Sequence, residues 1–195
     1  MKNTASPRQE RAQKTKEKIL KAAISMYEAN GYHKTTVDEI AAAAEVSTGI
    51  AYRYFKNKKD LLLSSVLYAF ENIRSISGIK STSEFTDKRE YLEYVLDRFE
   101  KLHIKYHDIH EELEGLRHTD KDVKALYNKI ESSALEELIN EFTMMGITEN
   151  TREKVYFAVG IIENYCHMKT DEAYVKLDHA FLRKKTIDTV FDTIR

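Results

Sequence analysis

Between Ser47 and Phe55 the chain reads STGIAYRYF, which places hydroxyls, aromatics and an arginine on about two and a half helical turns. Reading double-stranded DNA requires donors, acceptors and small apolar groups aimed at base edges from a helix that fits the major groove. It also requires separate anchors on phosphate. Thr48, Gly49, Ile50 and Arg53 lie at the start and on the exposed side of such a helix. Gly49 allows close backbone approach, Ile50 can meet a thymine methyl, and Arg53 can fork onto guanine. Ser47 is a suitable cap for its first turn.

A second set is His103, His107, His110 and Glu114. Spacings of four, three and four put them on one stripe if the helix runs unbroken through Ile109. Continued backwards, the stripe meets Leu92, Leu96 and Phe99, so the imidazoles border an apolar face. Three readings are open. The side chains can be partly exposed and satisfy one another in a helical bundle, which is the ordinary fate. They can be polar groups of an apolar ligand pocket, which then takes in Phe99, His103, His107, His110 and Tyr165. They can be metal ligands, but residues on one face converge only in part, so no metal is assigned. No cofactor is implied. There is no set of nucleophile, base and orienting group and no phosphate-cradling loop, so an enzyme, such as a metal-assisted hydrolase on the His stripe, ranks last.

The elements that would position the first set follow from local chemistry. Thr36 and Glu39 spell a capping box, and Val37, Ile40, Ala41 and Ala44 recur behind it at helical spacing. That helix should stop near Glu45–Val46, with a short helix TGIAYRYF after it. A third, KKDLLLSSVLYAF, starts at about Asn57 and continues to about Ile73. Two short helices joined by a tight turn read as helix-turn-helix. Upstream, a helix over about Arg8–Ala29 shows one apolar face (Ile19, Ala22, Ala23, Met26, Tyr27) and ends at Asn30-Gly31. Residues 1–10 are polar and are expected to be a disordered arm. Arg8, Arg11 and Lys14 lie where they can reach phosphate or a minor groove, or simply stay solvated.

The stretch Thr36–Leu61 resembles the DNA-binding signature of the tetracycline-repressor (TetR) family, TTV..IA..A.VS.G..Y.YF..K..L. The matching residues are Thr35, Thr36, Val37, Ile40, Ala41, Ala44, Val46, Ser47, Gly49, Tyr52, Tyr54, Phe55, Lys58 and Leu61. The upstream run ILKAAISMYEANGYHKTT is similar to the family's first helix, so the resemblance covers roughly the first third of the chain. It implies Thr48, Gly49 and Ile50 near bases and Tyr52, Thr36, Tyr54 and Lys58 on phosphate, and Ser47 is placed with these. Phe55 is read as a packing residue. One position departs from the family pattern: Glu45 stands where glycine is usual because the turn favours a positive φ, which costs a non-glycine residue on the order of 1 kcal/mol.

Composition agrees with an all-α regulator. Pro7 is the only proline, the glycines number 6, and no hairpin signal flanked by alternating β-branched runs occurs. The single Cys166 excludes an internal disulfide and a cysteine-based zinc site and suits a reducing compartment. No apolar run approaches the roughly 20 residues that span a bilayer, and no signal-peptide core is present, so a cytoplasmic protein without a membrane partner is expected. Through Asp60 there are 12 Lys/Arg against 7 Asp/Glu, within a chain whose net charge is −1. A basic front on an acidic body is the layout of a nucleic-acid-binding domain joined to something else.

The segment SISGIKSTSEFTD, rich in Ser, Thr and Gly, is where a break in the chain is expected. Beyond it, amphipathic helices are expected at about 86–108, 109–117, 120–145, 149–169 and 172–194, with Thr119, Gly146 and Thr170 at breaks. Tyr91, Val95, Leu102, Ile109, Leu126, Ile130, Leu135, Leu138 and Phe142 supply a bundle core. The expected organisation is a helix-turn-helix DNA-binding domain over 1–60 and a helical-bundle domain over 61–195. The family resemblance makes the second half an effector-binding and dimerisation domain, its last two long helices forming the dimer interface. The expected partners are a palindromic operator in double-stranded DNA, an unidentified small molecule and a second copy of the chain. The leading function is a repressor released from DNA by that ligand, and a DNA-bound interaction or architectural protein without an effector is the alternative.

Overall fold

The structure, a computed structural model, describes residues 6–76, 80 and 82–195. Its helices are α1 (Pro7–Asn30), α2 (Val37–Ala43), α3 (Thr48–Tyr54), α4 (Lys58–Ile76), α5 (Lys88–Lys105), α6 (His107–Arg117), α7 (Lys121–Met144), α8 (Thr151–Thr170) and α9 (His179–Ile194). Single 3-10 turns lie at Thr82–Glu84 and Glu172–Tyr174, and no strand occurs among the described residues, in agreement with the all-α expectation. No described helix is long and apolar enough to cross a membrane. Contacts divide the chain into two compact units. One holds residues up to 77 together with 111–126, and the other holds 78–110 together with 127–195, so α6 and α7 contribute to both.

In the first unit α1 packs on α2, α3 and α4, and α2 packs on α3. Ile19, Leu20, Ala23 and Tyr27 of α1 are buried with Val37, Ile40 and Ala41 of α2, Ala51 of α3, and Leu61 and Leu62 of α4. The capping box of α2 is fully formed: the Glu39 amide donates to Thr36 Oγ1 (3.2 Å), and the Thr36 amide donates to Glu39 Oε2 (2.8 Å). Thr35, fully buried, donates its hydroxyl to the carbonyls of Gly31 (2.9 Å) and Met26 (3.3 Å), which fastens the turn between α1 and α2. Asn57 caps α4 through the Asp60 amide (2.8 Å), while the Asp60 carboxylate accepts from the Lys56 amide (2.8 Å). Within 111–126, Leu113 and Val123 are buried, and Asp120 and Asp122 hold Lys59 at 2.7 and 3.1 Å.

The second unit has one core. Tyr91, Leu92, Val95 and Leu96 of α5 meet Leu135 and Phe142 of α7. Val155, Ala158, Ile162, Tyr165 and Cys166 of α8 and Ile187, Val190 and Ile194 of α9 complete it. Four charges seal its edge: Glu100 pairs with Lys169 (2.6 Å) and Arg183 (3.5 Å), and Arg183 also bonds Asp97.

Several local expectations need correction. Residues 7–10 are helical, because Pro7 occupies the first helical position, where its fixed φ suits and its missing N–H costs nothing. Ser6 and Gln9 close a reciprocal cap (2.8 and 3.3 Å). Residues 1–5 of the expected arm lie outside the described residues, as do 77–79 and 81 of the expected break. The His stripe itself is broken at Tyr106, between His103 and His107 and ahead of the boundary expected near 108: α5 ends there with a Tyr106 amide bond to the Leu102 carbonyl (2.9 Å). The cap of α7 is Asp120, whose Oδ1 accepts from the Asp122 and Val123 amides, rather than Thr119. The final helix starts at His179 behind the cap Asp178, since a 3-10 turn capped by Asp171 intervenes after Thr170. Gly146, at φ 81°, stands between α7 and α8 as expected.

Candidate nucleic-acid interface

Helix α3 has seven residues, too few to be stable alone, so its position depends on what it packs against. Its inner face is Ala51, fully buried, continued by Phe55 at 2% exposure just past its end. The expectation that Phe55 is a packing residue is met by this burial. On the outer side Gly49, Tyr52 and Arg53 share a face, being three and four residues apart, and all are exposed. Thr48, Ile50 and Tyr54 flank that face and are half-buried. Ser47 starts the helix, its Oγ accepting from the Ile50 amide (3.4 Å).

The turn ahead of α3 is tight. The Val46 amide donates to the Ala41 carbonyl (3.0 Å), and Glu45 takes the left-handed conformation with φ 52°. The positive φ expected at the family's glycine position is therefore present in spite of its side chain. A partner that the sequence did not reveal offsets it: the Glu45 carboxylate bonds Lys18 of α1, and that bond holds its carboxyl below the usual range.

Hydrogen bonds decide what each polar group at this face can still do. Thr48 Oγ1 donates to Asp38 Oδ1 of α2 (2.5 Å), so its proton is committed and its lone pairs face outward chemistry as acceptors. Thr36 Oγ1 donates to Glu39 Oε2 (2.8 Å), so both donors of Thr36 serve the cap of α2. Lys58, at the start of α4, donates to the His33 carbonyl (3.2 Å) and lies over the Tyr32 ring at 4.4 Å, which leaves further ammonium protons for another acceptor. The Tyr54 ring leans on Phe55 at 6.3 Å between centroids.

The residues grouped as a ligand pocket divide in the second unit. Phe99 stacks on His103 (centroids 6.2 Å apart), and His103 and His110 come to 5.1 Å. The third ring brought to them is His167 of α8, not His107. Nothing in the chain's local pattern signalled His167, because it joins the group only through the packing of α8 on α5. Tyr165 is buried and lies beside a groove of about 500 Å³ on α8 and α9, bordered also by Tyr156, Phe157, Gly160, Leu182 and Lys185.

A short helix held through one apolar edge on α1 and α2, turned outward behind a tight left-handed corner, defines a helix-turn-helix DNA-binding unit. Residues 19–64 match the bacterial regulatory proteins of the tetR family. Over these residues the chain is similar to the N-terminal DNA-binding domain of TetR-family regulators. A fatty acid metabolism regulator protein of Bacillus subtilis (strain 168) is 48% identical over 46 residues, 24% of this chain and 24% of that protein. The chain aligns with less than a third of the length of the first curated relatives it matches. Likeness of the whole chain is seen in structure. FadR of Bacillus subtilis, crystallised in complex with stearoyl-CoA, aligns with a TM-score of 0.69 at 25% identity, covering 92% of this chain and 99% of that one. GusR of Salmonella enterica gives a TM-score of 0.72 at 16% identity, covering 92% and 95%, which is a likeness of fold.

Proposed function

We propose that this chain is a ligand-responsive transcriptional regulator of the cytoplasm, a dimeric repressor released from a palindromic operator by a small molecule. The observation that carries the reading is α3: Ala51 and Phe55 fix it, and Gly49, Tyr52 and Arg53 are left facing out. In this reading residues 1–60 bind DNA, with Thr48, Gly49, Ile50 and Arg53 near base edges. Ser47, Tyr52, Tyr54 and Lys58 anchor on phosphate, and Thr36 does so at the cost of its bond to Glu39. With its proton held by Asp38, Thr48 acts toward a base as an acceptor, which suits the amino group of cytosine or adenine.

Residues 61–195 then carry effector binding and dimerisation. The outward face of α8 and α9 is apolar where a second copy would sit: Tyr156, Phe157 and Phe181 are half or more exposed, and Gly160 leaves room for close helix approach. The structural neighbour with stearoyl-CoA makes acyl thioesters the first effectors to test, with Phe99, His103, His107, His110 and Tyr165 as pocket candidates. A ligand acts by binding one arrangement of the dimer better than the other, and its differential affinity sets the release.

The test is fluorescence anisotropy on a duplex selected from a random pool. Affinity should fall steeply with salt, as phosphate contacts release counterions. Lys58→Ala should weaken all sequences alike, whereas Arg53→Ala should change the preferred sequence. A chain that selects no sequence over random DNA, as a dimer and at low salt, overturns the reading.

A further inference from the structure

We propose that His103, His110 and His167 form a binding site for one divalent transition-metal ion of the zinc, cobalt, nickel or copper class. They come from α5, α6 and α8 within the second unit, so a shared ion would tie three helices. One ring nitrogen of each lies within 4.8 Å of one nitrogen of both others. The ring centroids stand 5.1, 5.2 and 5.5 Å apart, and the planes are inclined at 48°, 53° and 80°. The rings therefore surround a common point rather than stacking.

His103 supplies the most specific observation. Its Nδ1 lies 3.0 Å from the Phe99 carbonyl oxygen, which can only accept, so Nδ1 carries the proton. In the neutral ring the other nitrogen, Nε2, then presents a lone pair. That atom is buried and has no hydrogen-bond partner. A backbone carbonyl that holds one imidazole nitrogen and leaves the other to a metal is how protein metal ligands are oriented.

The chemistry of the donors selects the ion. Three neutral nitrogens suit late first-row divalent ions and disfavour calcium and magnesium, which take oxygen. With metal–nitrogen bonds of about 2.0–2.1 Å, tetrahedral nitrogens stand roughly 3.3 Å apart. Separations of at most 4.8 Å exceed that value by no more than about 1.5 Å, which small side-chain rotations close. Three ligands leave one position for water or for a donor atom of another molecule. Cys166, next to His167 in sequence, is buried in the core and is not one of the converging groups.

The site stands independently of the regulator reading, because metal binding is measured without DNA. The untagged full chain, stripped with chelator, is titrated with Co²⁺ and followed by visible absorption, and with Zn²⁺ by calorimetry. The expected result is one ion per chain, intense d–d bands of a four-coordinate cobalt ion, and a rise in Tm with zinc. His167→Gln and His110→Ala should each weaken binding tenfold or more and lose the bands, while His107→Ala should keep both. Circular dichroism checks that each variant is folded, and His167→Gln, which keeps a polar side chain of similar size, serves if His110→Ala does not fold. No cobalt band in the native chain overturns the proposal. So does binding that survives His167→Gln, which would place the ion on surface histidines.

Discussion

The position of α3 rests on few atoms, and that makes Phe55 the informative residue to perturb. It is 2% exposed, and with the fully buried Ala51 it is the apolar edge by which a seven-residue helix is held. Replacing a buried phenylalanine by alanine costs about 3–5 kcal/mol through lost burial and the cavity left behind. Leucine retains most of the volume and should cost less than about 1.5 kcal/mol. A helix of this length has no independent stability to draw on, so the loss falls on the first unit and on the fraction of molecules with α3 in place. Apparent operator affinity scales with the fraction of molecules that have α3 in place, so a loss of about 3 kcal/mol lowers it by up to roughly a hundredfold, the full factor being reached where α3 is left mostly undocked. Phe55→Leu should bind within about tenfold of the parent. Urea unfolding followed by circular dichroism gives the stability, and anisotropy on the selected duplex gives the affinity. The reasoning is refuted if Phe55→Ala keeps its stability, or if it stays folded and changes which sequence is preferred. The latter would make Phe55 a reader of DNA.

Two further outcomes follow from the same unit. Glu45→Gly relieves the positive φ but removes the partner of Lys18, whereas Lys18→Met removes the ion pair and keeps the strain. Thermal melts should therefore show a gain for Glu45→Gly that is larger in the Lys18→Met background than in the parent, and equal gains in both backgrounds would mean the ion pair contributes nothing. The Asp120 carboxyl is held below its ordinary 3.8 by its bond from Lys59 and then by the Val123 amide. A depressed folded value stabilises above the unfolded pKa and is lost as pH falls through the folded one. Lys59→Met should thus flatten the loss of stability of the first unit below about pH 4, and an unchanged acid limb would count against the contact.

How much of this protein is written locally is clear from particular residues. The Thr36–Glu39 box, the Ser47 cap and the helical spacing that buries Val37, Ile40, Ala41 and Ala44 were legible because each depends on residues three or four apart. The left-handed corner at Glu45 was expected from the family resemblance, in which glycine is usual at that position. Asp120 as a cap was harder to read, because Thr119 and Asp120 compete at adjacent positions, and Asp178 because a 3-10 turn after Thr170 delays the last helix. No glycine or proline marks the break at Tyr106, so the boundary expected near 108 fell a few residues late and a stripe of His103, His107 and His110 stayed open as a reading. Tertiary packing decided the rest: α8 laid on α5 brings His167 to His103 and His110, and α1 beside the turn gives Glu45 its lysine. Contacts between residues far apart in the chain leave no periodic trace in it, because each helix needs only its own apolar face to fold, whereas which polar groups meet depends on how those faces are matched.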